Sequence, residues 1–233
     1  MIRLACLDMA GTTVLDDGAV VDAFDASLSA SGLSAGSPDY YAAIRYVHET
    51  MGQSKIDVFQ AIFDGDLHRA DAANSAFEAA YAEAVQNNRL APIPQAAETI
   101  EKLRGSGCAV VLTTGFAPAT RDHIIAALGW GDLITMALSP VDAGRGRPYP
   151  DMVLTALLRT GIEAVDQIAV AGDTTSDLWA GSRAGAAIVA GVRTGAHSDA
   201  DFATVPHTHV LDSVAELVAC IDTHNQAVSR WPR

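Results

Sequence analysis

The stretch Leu4-Ala5-Cys6-Leu7-Asp8-Met9-Ala10-Gly11-Thr12-Thr13 constrains the fold more than any other part of the chain. An apolar run stops at an acid, and a Gly-Thr-Thr turn follows at once. A continuous apolar run predicts a strand buried on both faces, the kind found in parallel sheets covered by helices. In such sheets ligands bind outside the carboxyl ends of the strands. Asp8 is then placed at that edge as a nucleophile, a metal ligand or a turn cap.

The rest of the chain supplies the sheet. After the turn, Val14 to Val20 with Asp17-Gly18 at its centre predicts a tight β-hairpin over the edge. From there to residue 92 the texture is helical. Phe24, Leu28 and Leu33 follow helix spacing, as do Tyr40, Ile44 and Val47, then Val58, Ile62 and Phe63. The alanine-rich stretch 70–87 predicts a longer helix. Met51-Gly52-Gln53-Ser54 breaks this region and leads into Lys55, and Pro92 and Pro94 mark a linker.

From residue 95 strands and helices alternate. Helices are predicted over 95–105, 119–128, 150–160, 175–184 and 213–224. Strands are predicted over 108–114, 133–138, 167–171, 187–192 and 209–211. Alternation implies right-handed crossovers and an α/β fold with a doubly wound parallel sheet. The expected organisation is a core of residues 1–16 and 93–233, with a helical cap of residues 17–92 inserted after the first strand.

Composition narrows the function. The chain has 233 residues, 49% hydrophobic and 18% charged, which supports a substantial core. A formal net charge of −13 argues against nucleic acid or an anionic membrane as partner. It leaves room for a small anionic substrate where a local cation or metal reverses the field. Cys6 and Cys108 fall inside apolar runs and Cys220 stands apart, a pattern of buried thiols rather than disulfides or zinc ligands. No signal-peptide pattern or membrane-spanning apolar run is present, so a soluble cytoplasmic protein is expected.

The strand ends carry the chemistry. The first ends in Asp8, the second in Thr113-Thr114-Gly115, the third leads to Arg147-Pro148, and the fourth ends in Gly172-Asp173-Thr174-Thr175-Ser176-Asp177. Acids suit Mg²⁺, which prefers oxygen ligands. A hydroxyl and a guanidinium suit phosphoryl oxygens, and one acid remains to attack in line.

This order, Asp-x-Ala-Gly-Thr-Thr, Thr-Thr-Gly, Arg-Pro-Tyr-Pro and Gly-Asp-x-x-x-Asp, resembles the haloacid dehalogenase superfamily. Within it the chain is most similar to the phosphonatase branch, phosphonoacetaldehyde hydrolase and its relatives. The resemblance implies that Asp8 is the nucleophile that becomes an aspartyl-phosphate. Asp8, the Ala10 carbonyl and Asp173 would hold Mg²⁺, with Asp177 completing the metal's surroundings. Thr114 would bond the phosphoryl group, and Arg147 would stand where the superfamily usually has lysine. Met9, Ala10, Gly52 and Gly115 would contact substrate beside Thr114, Arg147 and Lys55. A homodimer through the cap helices is implied too, for which the Ala- and Tyr-rich faces of 38–47 and 76–87 are candidates.

Ala10 and the cap hold the informative letters. Most phosphatases of the superfamily have a second Asp two residues beyond the nucleophile, a proton-transfer group worth roughly 10²–10⁴-fold in rate. Phosphonatases share the alanine and use a cap lysine as a Schiff base, and Met51-Gly52-Gln53-Ser54-Lys55-Ile56-Asp57 resembles the stretch that carries it. The branch generally has a histidine three residues after that lysine, where this chain has Val58. An ordinary phosphomonoesterase and a non-catalytic phospho-ligand binding protein therefore stand as alternatives. His207 and His209 read as a solvated strand edge, and Trp130 and Trp179 as packing residues.

Overall fold

The computed structural model describes residues 1–15, 17–87 and 89–229. Six parallel strands form the main sheet: β1 (Leu4–Asp8), β4 (Ala109–Thr113), β5 (Met136–Leu138), β6 (Ile168–Gly172), β7 (Ile188–Val192) and β8 (His209–Leu211). Their order is β5-β4-β1-β6-β7-β8, so β1 lies inside the sheet. Asp8 is in register with Thr113 on one side, and Leu7 with Ala171 on the other. That register brings Asp8, Thr114 and Asp173 to one edge.

All five residues of β1 are buried, because helices cover both faces. Ala5 and Leu7 join one apolar cluster with Ile100, Leu103, Ile124 and Leu217. Leu4 and Cys6 face the opposite way, toward Met152, Val153, Ala156 and Ala180. Alternation of side chains along a strand sorts the two sets. The first cluster takes in α5 (Ala96–Gly105), α6 (Pro118–Ala127) and α10 (Leu217–Ser229). The second takes in α7 (Asp151–Thr160) and α8 (Thr175–Ala184). A one-turn helix, α9 (Asp199–Phe202), was not anticipated; its Phe202 packs on Leu178 and Val189.

Between β1 and β4 the chain forms α1 (Ala19–Ala30), α2 (Pro38–Glu49), α3 (Lys55–Ile62) and α4 (Leu67–Gln86). The expected hairpin is corrected. Val14–Leu15 (β2) pairs antiparallel with Ala91–Pro92 (β3), not with the residues after Asp17-Gly18. Asp17 and Gly18 do take left-handed conformations, φ 45° and 77°. Ala19 onward follows the helical period, however, so Gly18 becomes the N-cap of α1. Asp16, part of that hairpin and the expected domain boundary, lies outside the described residues. The linker marked by Pro92 thus closes on β2, bringing the entry and exit of the helical segment together.

The helices share the first apolar cluster with the sheet's own helices, and Phe24, Phe59 and Phe77 pack in tilted and edge-to-face contacts at its centre. Phe77 and Tyr81 of α4 are fully buried there, so the aromatic face of 76–87 packs within the chain, whereas Tyr41 of α2 is exposed. The two later differences are small. The strand expected over 133–138 shortens to β5, and the last helix opens with a 3-10 turn at Val214–Glu216. Among the described residues no helix is long and apolar enough to cross a membrane. His207 and His209 are exposed, and Trp130 is buried.

Candidate active site

At the carboxyl edge of the sheet a cavity of about 350 Å³ opens under the helical segment. Asp8, Ala10, Thr114, Gly115, Arg147 and Asp173 line it from the sheet, and Gly52 and Lys55 from the helices. Residues far apart in sequence meet because four strand ends share one edge and the break after α2 folds over it. Asp177 and Met9 lie behind this wall. Met9 is fully buried, and its carbonyl accepts the N–H groups of Thr12, Thr13 and Val14. Met9 is thus the anchor of the turn after β1, and its side chain is packed in the apolar core. Thr114 lines the cavity whereas Thr113 does not.

Three carboxylates crowd around one cation. Arg147 is buried and donates through Nη1 to Asp8 Oδ1 at 2.5 Å and to Asp177 Oδ1. Its Nε has no hydrogen-bond partner among the described residues. The other oxygen of Asp177 accepts the Thr174 N–H at 3.1 Å and the Thr174 hydroxyl at 2.6 Å. Asp177 thus caps the start of α8 and holds Arg147 at once, so its helix-capping and site-building roles coexist. Asp173 Oδ2 accepts the Ala196 N–H at 2.7 Å.

Burial raises the Asp8 carboxyl to about 6, against the opposing pull of Arg147 and with a further push from Asp177. Burial, then the charges of Asp8 and Asp177, also holds Asp173 well above the usual carboxylate range. Arg147 stays protonated, since its two acid partners outweigh its burial.

The donor set fits a divalent cation. Oxygens of Asp8, Asp173 and Asp177 lie within 4.8 Å of one another, all three residues buried. Ionised, they exceed the single charge of Arg147, and a hard cation with carboxylate ligands resolves that imbalance.

Lys55 opens α3 and is buried, not a solvated helix residue. Its Nζ lies 5.4 Å from the Phe24 ring centre, 5.8 Å from Phe77 and 5.4 Å from Phe116. Three ring faces stabilise an ammonium electrostatically where water is scarce. The Lys55 N–H donates to the Gly115 carbonyl at 3.3 Å, beside Thr114. Close docking needs glycine on both sides. A Cβ on Gly52, which has φ +84°, would meet Thr174 Oγ1, and one on Gly115 would overlap the Gln53 carbonyl.

Sequence reasoning missed a fifth strand end. Thr194, Gly195 and Ala196 follow β7 and line the cavity. The Thr194 hydroxyl donates to the Gly11 carbonyl at 2.6 Å, tying this loop to the turn after β1. The signal was Thr194-Gly195 directly after an apolar strand. Phe116 was missed as well. It stands on the sheet side yet packs tilted against Tyr81 with ring centres 4.5 Å apart.

The chain is similar to known proteins. A phosphonoacetaldehyde hydrolase of Parabacteroides distasonis is 26% identical over 219 residues, 78% of this chain and 83% of that protein. A Dickeya dadantii protein named Probable phosphatase IndB is 27% identical over 221 residues, 94% of this chain and 93% of its own. Among solved structures, a phosphonoacetaldehyde hydrolase like protein from Oleispira antarctica has a TM-score of 0.80 at 22% identity. That comparison covers 100% of this chain and 95% of the other, and it speaks for the fold. The haloacid dehalogenase-like hydrolase family model matches residues 2–185, a span holding all four strand-end motifs, and to that family the chain belongs.

Proposed function

We propose that the chain hydrolyses a small organophosphonate or phosphate ester through Asp8, with residues 17–92 acting as a cap over the core. The observation that supports this best is one cavity lined by Asp8, Thr114, Arg147 and Asp173 together with Lys55. Asp8 attacks phosphorus in line and the bond to the leaving group breaks, giving an aspartyl-phosphate. Arg147 offsets the repulsion between the carboxylate and the phosphoryl dianion, and the Thr114 hydroxyl donates to a phosphoryl oxygen. Water then hydrolyses the acyl phosphate, returning Asp8 and releasing phosphate. Mg²⁺ held by Asp8, Asp173 and the Ala10 carbonyl, with Asp177 behind, would supply positive charge against the transferring oxygens.

For a phosphonate with a neighbouring aldehyde, Lys55 supplies the missing electron sink. Its amine condenses with the aldehyde and releases water. The iminium takes the electron pair as the C–P bond breaks, and protonation and hydrolysis of the enamine free the aldehyde and the amine. Val58, buried where the branch has histidine, favours a second form, hydrolysis of a phosphate ester whose leaving oxygen takes its proton from water. One preparation assayed with phosphonoacetaldehyde and with simple phosphate monoesters separates the two. In the imine form, borohydride with the aldehyde inactivates the enzyme and adds mass at Lys55. Full C–P cleavage by Lys55→Arg would rule that form out.

A further inference from the structure

The wall of the cavity that faces the helices is apolar. Leu15, Val20, Val21 and Met51 line it, joined by the Phe116 ring from the sheet side, and among the described residues from the helix side only Asp17 and Lys55 bring a charged side chain. Asp17 and Leu15 are exposed, at the rim, whereas Val20, Met51 and Phe116 are buried. The polar groups that anchor a phosphoryl group, Asp8, Thr114, Arg147 and Asp173, all belong to the sheet edge. The cavity is therefore divided into a charged floor and an apolar roof.

At about 350 Å³ it falls in the range of sites that enclose drug-sized ligands, roughly 300–1,000 Å³. A phosphoryl group with one or two carbons on the floor leaves most of the roof uncovered. A hydroxyl-rich body placed against the roof would lose its water without finding partners. An apolar body would instead gain by covering Leu15, Val20, Val21, Met51 and Phe116.

From this division we infer that the preferred ligand is a phosphoryl compound with an apolar body, aromatic or branched aliphatic, and not a sugar or polyol phosphate. The inference rests on the proposal that the floor binds a phosphoryl group. Binding, not turnover, tests it, so that the bond cleaved does not matter.

The probes are methylphosphonate, phenylphosphonate and glycerol 3-phosphate, titrated calorimetrically with Mg²⁺ present into the full chain carrying Asp8→Asn, so that the ester is not consumed during the titration. Phenylphosphonate is expected to bind at least about tenfold tighter than either of the others, the discrimination a hydrophobic pocket gives for a few carbons. Leu15→Asn, at an exposed position that should tolerate polarity, is expected to narrow the phenyl-to-methyl ratio to below about threefold. Leu15→Met should keep that ratio. Glycerol 3-phosphate binding as tightly as phenylphosphonate would overturn the inference while leaving the phosphoryl site intact. An unchanged ratio in Leu15→Asn would overturn it equally. Failure of all three probes to bind would remove the phosphoryl site itself, and the inference with it.

Discussion

Asp8 carries opposing demands, and its protonation exposes them. Without metal its carboxyl is raised to about 6, first by burial. In the unfolded chain it titrates near the ordinary value of about 3.9. Between those values the unfolded state has given up the proton that the folded state keeps, so stability falls as pH rises through the window. Asp173 shifts in the same direction. Metal-free Asp8→Asn is therefore expected to melt above the wild type at pH 7, with the gap closing by pH 4. Mg²⁺ should raise the wild-type melting temperature most above pH 6, where the ligands are ionised. Melting curves at several pH values, with and without Mg²⁺, check both statements. Turnover by Asp8→Asn should fall by at least about 10³-fold, as expected when a nucleophile is removed; retained turnover would exclude the acyl phosphate. These residues were legible in sequence because each closes a strand. Met9 was not, since adjacency to Asp8 says nothing about which way a turn residue faces.

At the scale of elements, the helical segment and the sheet are joined by side chains from α4. Glu78 accepts the Ala117 N–H at 3.4 Å and the Thr120 hydroxyl, so it caps the N-terminus of α6 from another helix. The α6 N-cap, Ala117, offers no side-chain acceptor of its own. Glu78→Ala should cost about 0.5–2 kcal/mol of stability, the usual worth of a cap. Phe77→Ala, at the centre of the aromatic cluster, should cost about 3–5 kcal/mol. Urea unfolding measures both, and a Glu78→Ala loss under 0.3 kcal/mol, roughly the noise of such measurements, would deny the cap its role. Helix and strand positions were largely readable from period and from Gly and Pro. The pairing of Val14–Leu15 with Ala91–Pro92 was not, because pairing across a long insertion leaves no local pattern. The burial of Lys55 was not legible for a related reason. First-turn lysines normally face water, and only the packing of α1, α4 and Phe116 reveals the aromatic surroundings.

For the molecule as a whole, a net charge of −13 surrounds a site proposed to take an anion. Approach of a phosphoryl dianion is opposed at long range and favoured only close to Arg147, Lys55 and the proposed Mg²⁺. Because salt screens the distant charges more than the buried ones, kcat/KM should rise between about 0.01 and 0.15 M ionic strength. A steady fall would mean that the local cations dominate at every distance. The parallel sheet was implied by alternation of elements, and its strand order and the division of the cavity into floor and roof were not. That division arises from packing between segments far apart in sequence, which leaves no local pattern.

The hydrogen bond from Lys55 to the Gly115 carbonyl has a geometric consequence. It couples the main chain of Lys55 to the main chain beside Thr114, and the Lys55 side chain then runs to an amine held among the rings of Phe24, Phe77 and Phe116. With the two segments docked and that side chain packed, backbone and aromatic rings together set the gap between amine and phosphoryl seat, like the jaws of a caliper locked at one opening. A ligand that grips both jaws is selected by its length before any of its other chemistry is read.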